Sequence, residues 1–79
     1  MTTVFAKFID GREFTFYRIL TTEVSYIIMY NDYGKRHSFQ VVKDEHQAWQ
    51  LSDHLPRAIK SLALHIIMAI NENESKPAV

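Results

Sequence analysis

Alternating apolar and polar positions run through the first half of the chain and give way to a helical spacing in the second. Thr3–Ile9, Arg12–Leu20, Glu23–Tyr30 and Arg36–Lys43 are rich in β-branched and aromatic residues, which suit a pleated, half-buried strand. Asp10-Gly11 predicts a two-residue type I′ hairpin, because Gly accepts positive φ without a Cβ clash. Thr21-Thr22 predicts a second short turn. Asn31–Lys35, with Gly34 at the left-handed position, predicts a bulged hairpin loop. Asp44-Glu45-His46 turns the chain again, and Gln47–Leu51 offers a short fifth strand with Trp49 and Leu51 on one side.

Beyond Leu51 the period changes. Leu55, Ile59, Leu62, Ala63, Ile66 and Ile70 form a stripe of 3.6-residue spacing, which predicts an amphipathic helix over about His54–Glu72. Ser52-Asp53 supplies candidate N-cap oxygens, and Pro56 suits a first turn, where its missing N–H costs nothing. Arg57, Lys60, Ser61, His65 and Glu72 project to the opposite side. Leu64 and Met68 interrupt that polar arc four residues apart, forming a small apolar ridge directed away from the sheet. Residues 73–79 are polar, contain Pro77, and read as a frayed tail.

These elements make one α+β domain over residues 1–72. Its expected form is a single antiparallel sheet of four to five strands, followed by one long C-terminal helix packed on one sheet face. Side chains alternate faces along a strand, so hairpin lengths assign them. With two-residue loops at Asp10-Gly11 and Thr21-Thr22 and a three-residue loop at Asp32–Gly34, Phe5, Phe16, Ile27 and Phe39 fall in line. The core face then collects Phe5, Phe14, Phe16, Ile27, Met29, Phe39 and Val41. The opposite face collects Thr15, Tyr17, Tyr26, Ile28, Tyr30, Ser38 and Gln40. Lys7 and Arg18 fall at the rim of the core face, with their stems along apolar surface.

Length changes the picture. A chain of 79 residues buries only about 60% of its unfolded surface, and such domains often rely on a staple or a partner. With no cysteine, neither a disulfide nor a thiolate zinc site can serve. The charge is balanced, 9 basic against 9 acidic residues, which gives no global attraction to phosphate backbones or anionic lipid. The apolar run Ile66–Ile70 is far short of the ~20 residues of a membrane span. The N-terminal residues lack a secretory leader's pattern. A cytoplasmic protein without membrane contact is expected.

Catalytic and cofactor chemistry has no foothold in the pattern. No nucleophile elbow and no phosphate-cradling glycine loop occurs, and Gly11 and Gly34 are both accounted for by turns. His46 and His54, with Asp44, Glu45 and Asp53, are the one cluster of metal-ligating types. If the intervening segment is extended, the two histidines stand about 25 Å apart at ~3.3 Å per residue. No enzyme, cofactor or metal site is therefore expected.

Binding surfaces are better represented. Tyr17, Tyr26 and Tyr30 are expected on the sheet face away from the helix, and tyrosine is enriched in protein interfaces. Together with Leu64 and Met68 they are the candidate interface residues, with a homodimer or another protein as partner. Bases also stack on aromatic rings, so Tyr17, Tyr26, Tyr30 and Tyr33, with Lys35 and Arg36 beside them, are candidates for single-stranded nucleic acid.

The order of strands followed by one helix, from about Val4 to Glu72, resembles the four-strand-plus-helix repeat of the Pur/whirly class. Arg12–Leu20 looks like a second strand of that repeat, Tyr26–Tyr30 like a third, and Phe39–Lys43 like a fourth. The resemblance implies single-stranded nucleic-acid binding on the sheet and pairing through the helices. It would give Tyr17, Tyr26 and Tyr30 a ligand-facing role. The expected function is a self-associating or protein-binding module, with nucleic-acid binding as the alternative.

Overall fold

The structure, a computed structural model, describes residues 3–76. Five antiparallel strands, β1 (Thr3–Ile9), β2 (Arg12–Leu20), β3 (Val24–Asp32), β4 (Lys35–Lys43) and β5 (Trp49–Leu51), lie side by side in sequence order. Two helical segments follow, α1 (Arg57–Lys60) and α2 (Ala63–Glu74). The expected α+β layout is thus the observed one, with the fifth strand present and confined to three residues. None of the described helices is long and apolar enough to cross a membrane.

The turns show why the strands pair as they do. Asp10 and Gly11 have φ of 53° and 75°, the two positive values of a type I′ turn, and Ile9 pairs with Arg12 across it. Tyr33 and Gly34 repeat the arrangement with φ of 49° and 78°, closing Asp32 onto Lys35. This loop has two residues, one fewer than expected. The loop after β2 has three, because Leu20 pairs with Val24 and Glu23 belongs to the turn. Its Thr21 N–H donates to the Glu23 carbonyl at 3.2 Å. At the β4–β5 turn, Asp44 Oδ1 accepts from the backbone N–H groups of His46 and Ala48.

The longer loop after β2 reverses β3. Phe16 stands opposite Ile28 and Ile28 opposite Phe39, so Tyr26, Ile28 and Tyr30 face the helices and are buried. Ile27 and Met29, expected in the core, face the other way. The shorter loop after β3 cancels the shift, so β4 keeps its expected orientation, with Phe39 and Val41 inside.

The core lies between the sheet and α1–α2. Phe14, Phe16, Tyr26, Ile28 and Val41 from the strands meet Ile59, Ile66 and Ile70 from the helices, all fully or almost fully buried. Each such apolar side chain contributes about 1.5–3 kcal/mol on burial. Phe5 stacks on Phe16 with ring centroids 4.5 Å apart, and Trp49 meets the Tyr26 ring edge-on at 5.5 Å.

The helix differs from expectation at both ends and in the middle. It does not begin at His54, and Ser52-Asp53 does not cap it. The first turn starts at Pro56 (φ −58°), without a side-chain cap. The Pro56 carbonyl accepts from the N–H groups of Ile59 and Lys60 at 3.0 Å each. The segment then breaks at Ser61-Leu62, where Leu62 (φ −97°, ψ 5°) leaves helical geometry. The Ser61 hydroxyl donates to the Ala58 carbonyl at 2.8 Å, a local bond that competes with the helical ladder. At the far end α2 continues through Asn73 and Glu74, inside the segment expected to be tail, because both are bonded to the sheet. Residues 77–79 of the expected tail lie outside the described residues.

Candidate interaction surface

The sheet has one face under the helices and one face open. Register places Val4, Tyr17, Ile27 and Gln40 in one row across the open face. Ala6, Thr15, Met29 and Ser38 form the next. Ile19, Ser25 and Val42 form a third, with Gln50 beyond them on β5. Phe8 and Glu13, with Asn31 and Arg36, form the fourth. The apolar members cluster on β1–β3. Tyr17, Ile27 and Met29 are partly exposed, while Phe8 is 70% exposed at the edge. The charges on these four rows are Glu13 and Arg36, at one end. The apolar cluster thus runs from the β1 edge to the middle of the face, with polar side chains on the β4 side.

The covered face carries its polar groups at the end of α2, where they dock the helix. Arg18 Nε and Nη2 donate to the Glu74 carboxylate at 2.6 and 3.2 Å. The Tyr26 hydroxyl donates to the same carboxylate and accepts from Asn73 Nδ2 at 2.9 Å. Arg18 thereby holds the Glu74 carboxyl below its usual range, while Glu74 raises the Arg18 guanidinium. Burial first, and then its bond to Glu74, pushes the Tyr26 phenol up to about 12. On one flank Trp49 Nε1 donates to Asn71 Oδ1 at 3.0 Å. On the other Lys7 pairs with Glu72 at 3.1 Å and lowers its pKa. Lys7 and Arg18 thus sit at the rim of the covered face.

Of the residues singled out from sequence, Tyr17 does lie on the open face. Tyr26 and Tyr30 do not, so neither ring is available to a partner or to a nucleobase. The Tyr26 hydroxyl is satisfied by Glu74 and Asn73. The Tyr30 ring lies between Phe14 and Phe39 at centroid distances of 5.5 and 6.1 Å, with His37 stacked on it at 5.3 Å. Burial, and secondarily the charge of Asp32, raises its phenol pKa. Tyr33 stands 98% exposed at the tip of the β3–β4 hairpin, and Lys35 and Arg36 follow it on exposed positions. The tyrosines are therefore dispersed over two faces and a tip. Leu64 and Met68, at 74% and 63% exposure, form the expected ridge on the outer side of α2.

Val4, Phe8, Ile27 and Met29 are surface residues that sequence reasoning did not nominate. For Val4 and Phe8 the signal was present: β1 is apolar on both of its faces, and the Asp10-Gly11 hairpin fixes which of them joins Phe16. For Ile27 and Met29 it was not, because their side depends on the length of the loop at Thr21–Glu23.

A groove of about 560 Å³ runs between β1 and α2, lined in part by Lys7, Ile9, Leu62, His65, Met68 and Glu72. It is open to solvent, and two of its charged residues, Lys7 and Glu72, are engaged with each other. Among the described residues no three His, Asp or Glu side chains are grouped to hold a metal ion. Comparison with protein-family models, with curated protein sequences and with solved structures gives no match.

Proposed function

We propose that this protein is a small non-enzymatic interaction module that self-associates through the open face of its sheet. The observation that carries the reading is the position of Ile27 and Met29. They lie on the central strand of the uncovered face, flanked by Tyr17 and Thr15 of β2, with Val4 and Ala6 beyond them on β1. Ile27 and Met29 are partly exposed and Val4 and Phe8 on the same face are exposed, and a contiguous apolar patch of this kind marks an interaction site.

Sedimentation equilibrium across the micromolar range tests the reading. The unmodified protein is expected at twice the chain mass, and Ile27→Lys at the chain mass. A monomer for the unmodified protein throughout that range would overturn it. Leu64→Glu combined with Met68→Glu is expected to leave the mass unchanged, because that ridge is two residues wide. Dissociation of that variant would move the interface to the helix.

A further inference from the structure

The arrangement of the four open-face rows goes further than the presence of an apolar surface, and it rests on the self-association just proposed. Two copies packed face to face are related by a two-fold axis lying between the sheets. Aligned sheets keep their strand directions within about 30°. The axis can then run along the strands or across them, and the side chains distinguish the two.

With the axis along β3, the central strand of the sheet, β3 crosses its own copy and β2 crosses the partner's β4. Levels along the strands are conserved. Ile19 then meets the partner's Val42, Tyr17 the partner's Gln40, and Thr15 the partner's Ser38. Glu13 meets the partner's Arg36, and the symmetry makes that ion pair twice. On β3, Ile27 and Met29 meet their own counterparts. Across β2, β3 and β4 the levels therefore match in kind: apolar on apolar, hydroxyl on amide or hydroxyl, acid on base. With the axis across the strands the levels invert. Glu13 would then cover Ile19 of the other copy and Arg36 would cover Val42, leaving four charges buried against apolar side chains, which is strongly unfavourable.

We infer that the chain forms a homodimer with its two-fold axis along β3, in which Glu13 and the partner's Arg36 pair twice and fix the orientation of the two sheets. The sheets stand about 10 Å apart, a gap that extended Glu and Arg side chains span together. Charge pairs at an interface rim select partner and register through repulsion of the wrong arrangement as much as attraction of the right one.

Charge exchange provides the test. Glu13 and Arg36 are both exposed, so Glu13→Arg and Arg36→Glu should retain the unmodified far-UV circular dichroism. Each variant alone would face like charges at both contacts, and its dimer dissociation constant should rise by about tenfold or more. Mixing the two variants restores both opposite-charge pairs, and a mixed dimer should form with nearly the unmodified affinity. The chain carrying both substitutions should also dimerise. Unchanged homodimerisation of the single variants would overturn the geometry while leaving self-association standing. Weakened single variants that fail to combine would overturn it equally. A monomeric unmodified protein would remove the underlying reading as well.

Discussion

Glu74, on the last turn of α2, accepts two hydrogen bonds from Arg18 of β2, and the two side chains are each about three-quarters buried. The pair fastens the end of the helix to a strand 56 residues earlier in the chain. Hydrogen bonds to charged groups contribute about 1.5–3 kcal/mol each to stability. Arg18→Ala leaves the Glu74 carboxylate partly buried without its cation. A loss of about 2 kcal/mol is expected, read as a lower midpoint in urea denaturation.

The same contact predicts an acid dependence. The folded pKa of Glu74 lies below its ordinary value of 4.5 because Arg18 bonds the charged form. Its contribution is therefore present above pH 4.5 and is lost as pH falls through the folded pKa. Glu74→Gln should be less stable at pH 7 and should lose less stability than the unmodified protein between pH 5 and 2. Urea midpoints at a series of pH values measure this. Parallel profiles for the two proteins would contradict it.

Tyr26 gives the alkaline counterpart. Its phenol is held neutral up to about 12 in the fold, against 10.0 for the ordinary group. The unfolded chain ionises first, so stability is retained below pH 10 and falls as pH rises toward 12. Tyr26→Phe removes the hydroxyl that joins Glu74 and Asn73, at a cost of about 1 kcal/mol near neutrality. It should also flatten this alkaline decline. Ultraviolet titration at 295 nm, resolving a late-ionising tyrosine absent from the variant, checks the assignment.

The three-residue loop at Thr21–Glu23 sets which side of β3 faces the helices. Deleting Thr22 shortens it by one residue and turns Tyr26, Ile28 and Tyr30 outward, or breaks the ladder to preserve them. Loss of more than about 4 kcal/mol is expected, enough to unfold a domain of this size. Far-UV circular dichroism and the emission of the single tryptophan, Trp49, report the outcome. A folded deletion variant would show that β3 tolerates either orientation.

Gly34 has φ of 78°, and nothing lies within 4 Å of where a Cβ would stand. Gly34→Ala therefore costs backbone strain without a clash, about 1 kcal/mol. The urea midpoint should fall while the slope of the transition stays the same.

The strands and the type I′ hairpin at Asp10-Gly11 were legible in the sequence because their signals are local, whereas the second hairpin was expected with a three-residue bulged loop and has a two-residue type I′ turn. Asp10-Gly11 names its turn, and the alternation of Phe14 and Phe16 with polar neighbours marks a face. The stripe of Ile59, Ile66 and Ile70 is equally local. The orientation of β3 was not legible, because that strand lacks contrast. One side offers Tyr26, Ile28 and Tyr30, the other Ile27 and Met29, and both are apolar. The break at Ser61-Leu62 was hidden for a related reason: the 3.6-residue period of the apolar stripe runs through it unbroken. The candidate surface followed the fate of β3, so Tyr17 was placed correctly while Ile27 and Met29 were assigned to the core.

By itself the sequence determined an antiparallel sheet, its order of strands, the helical segment that follows and the side of β1 and β2 that this segment covers; β4 took its expected side because two differences in loop length cancelled. Only the tertiary structure decided β3 and, with it, the character of the open face. The deciding interactions join residues far apart in the chain. The Tyr26 hydroxyl finds Glu74 and Asn73, and the Tyr30 ring finds Phe14, Phe39 and His37. These contacts make two tyrosines better core residues than Ile27 and Met29, and no local pattern of hydrophobicity contains them.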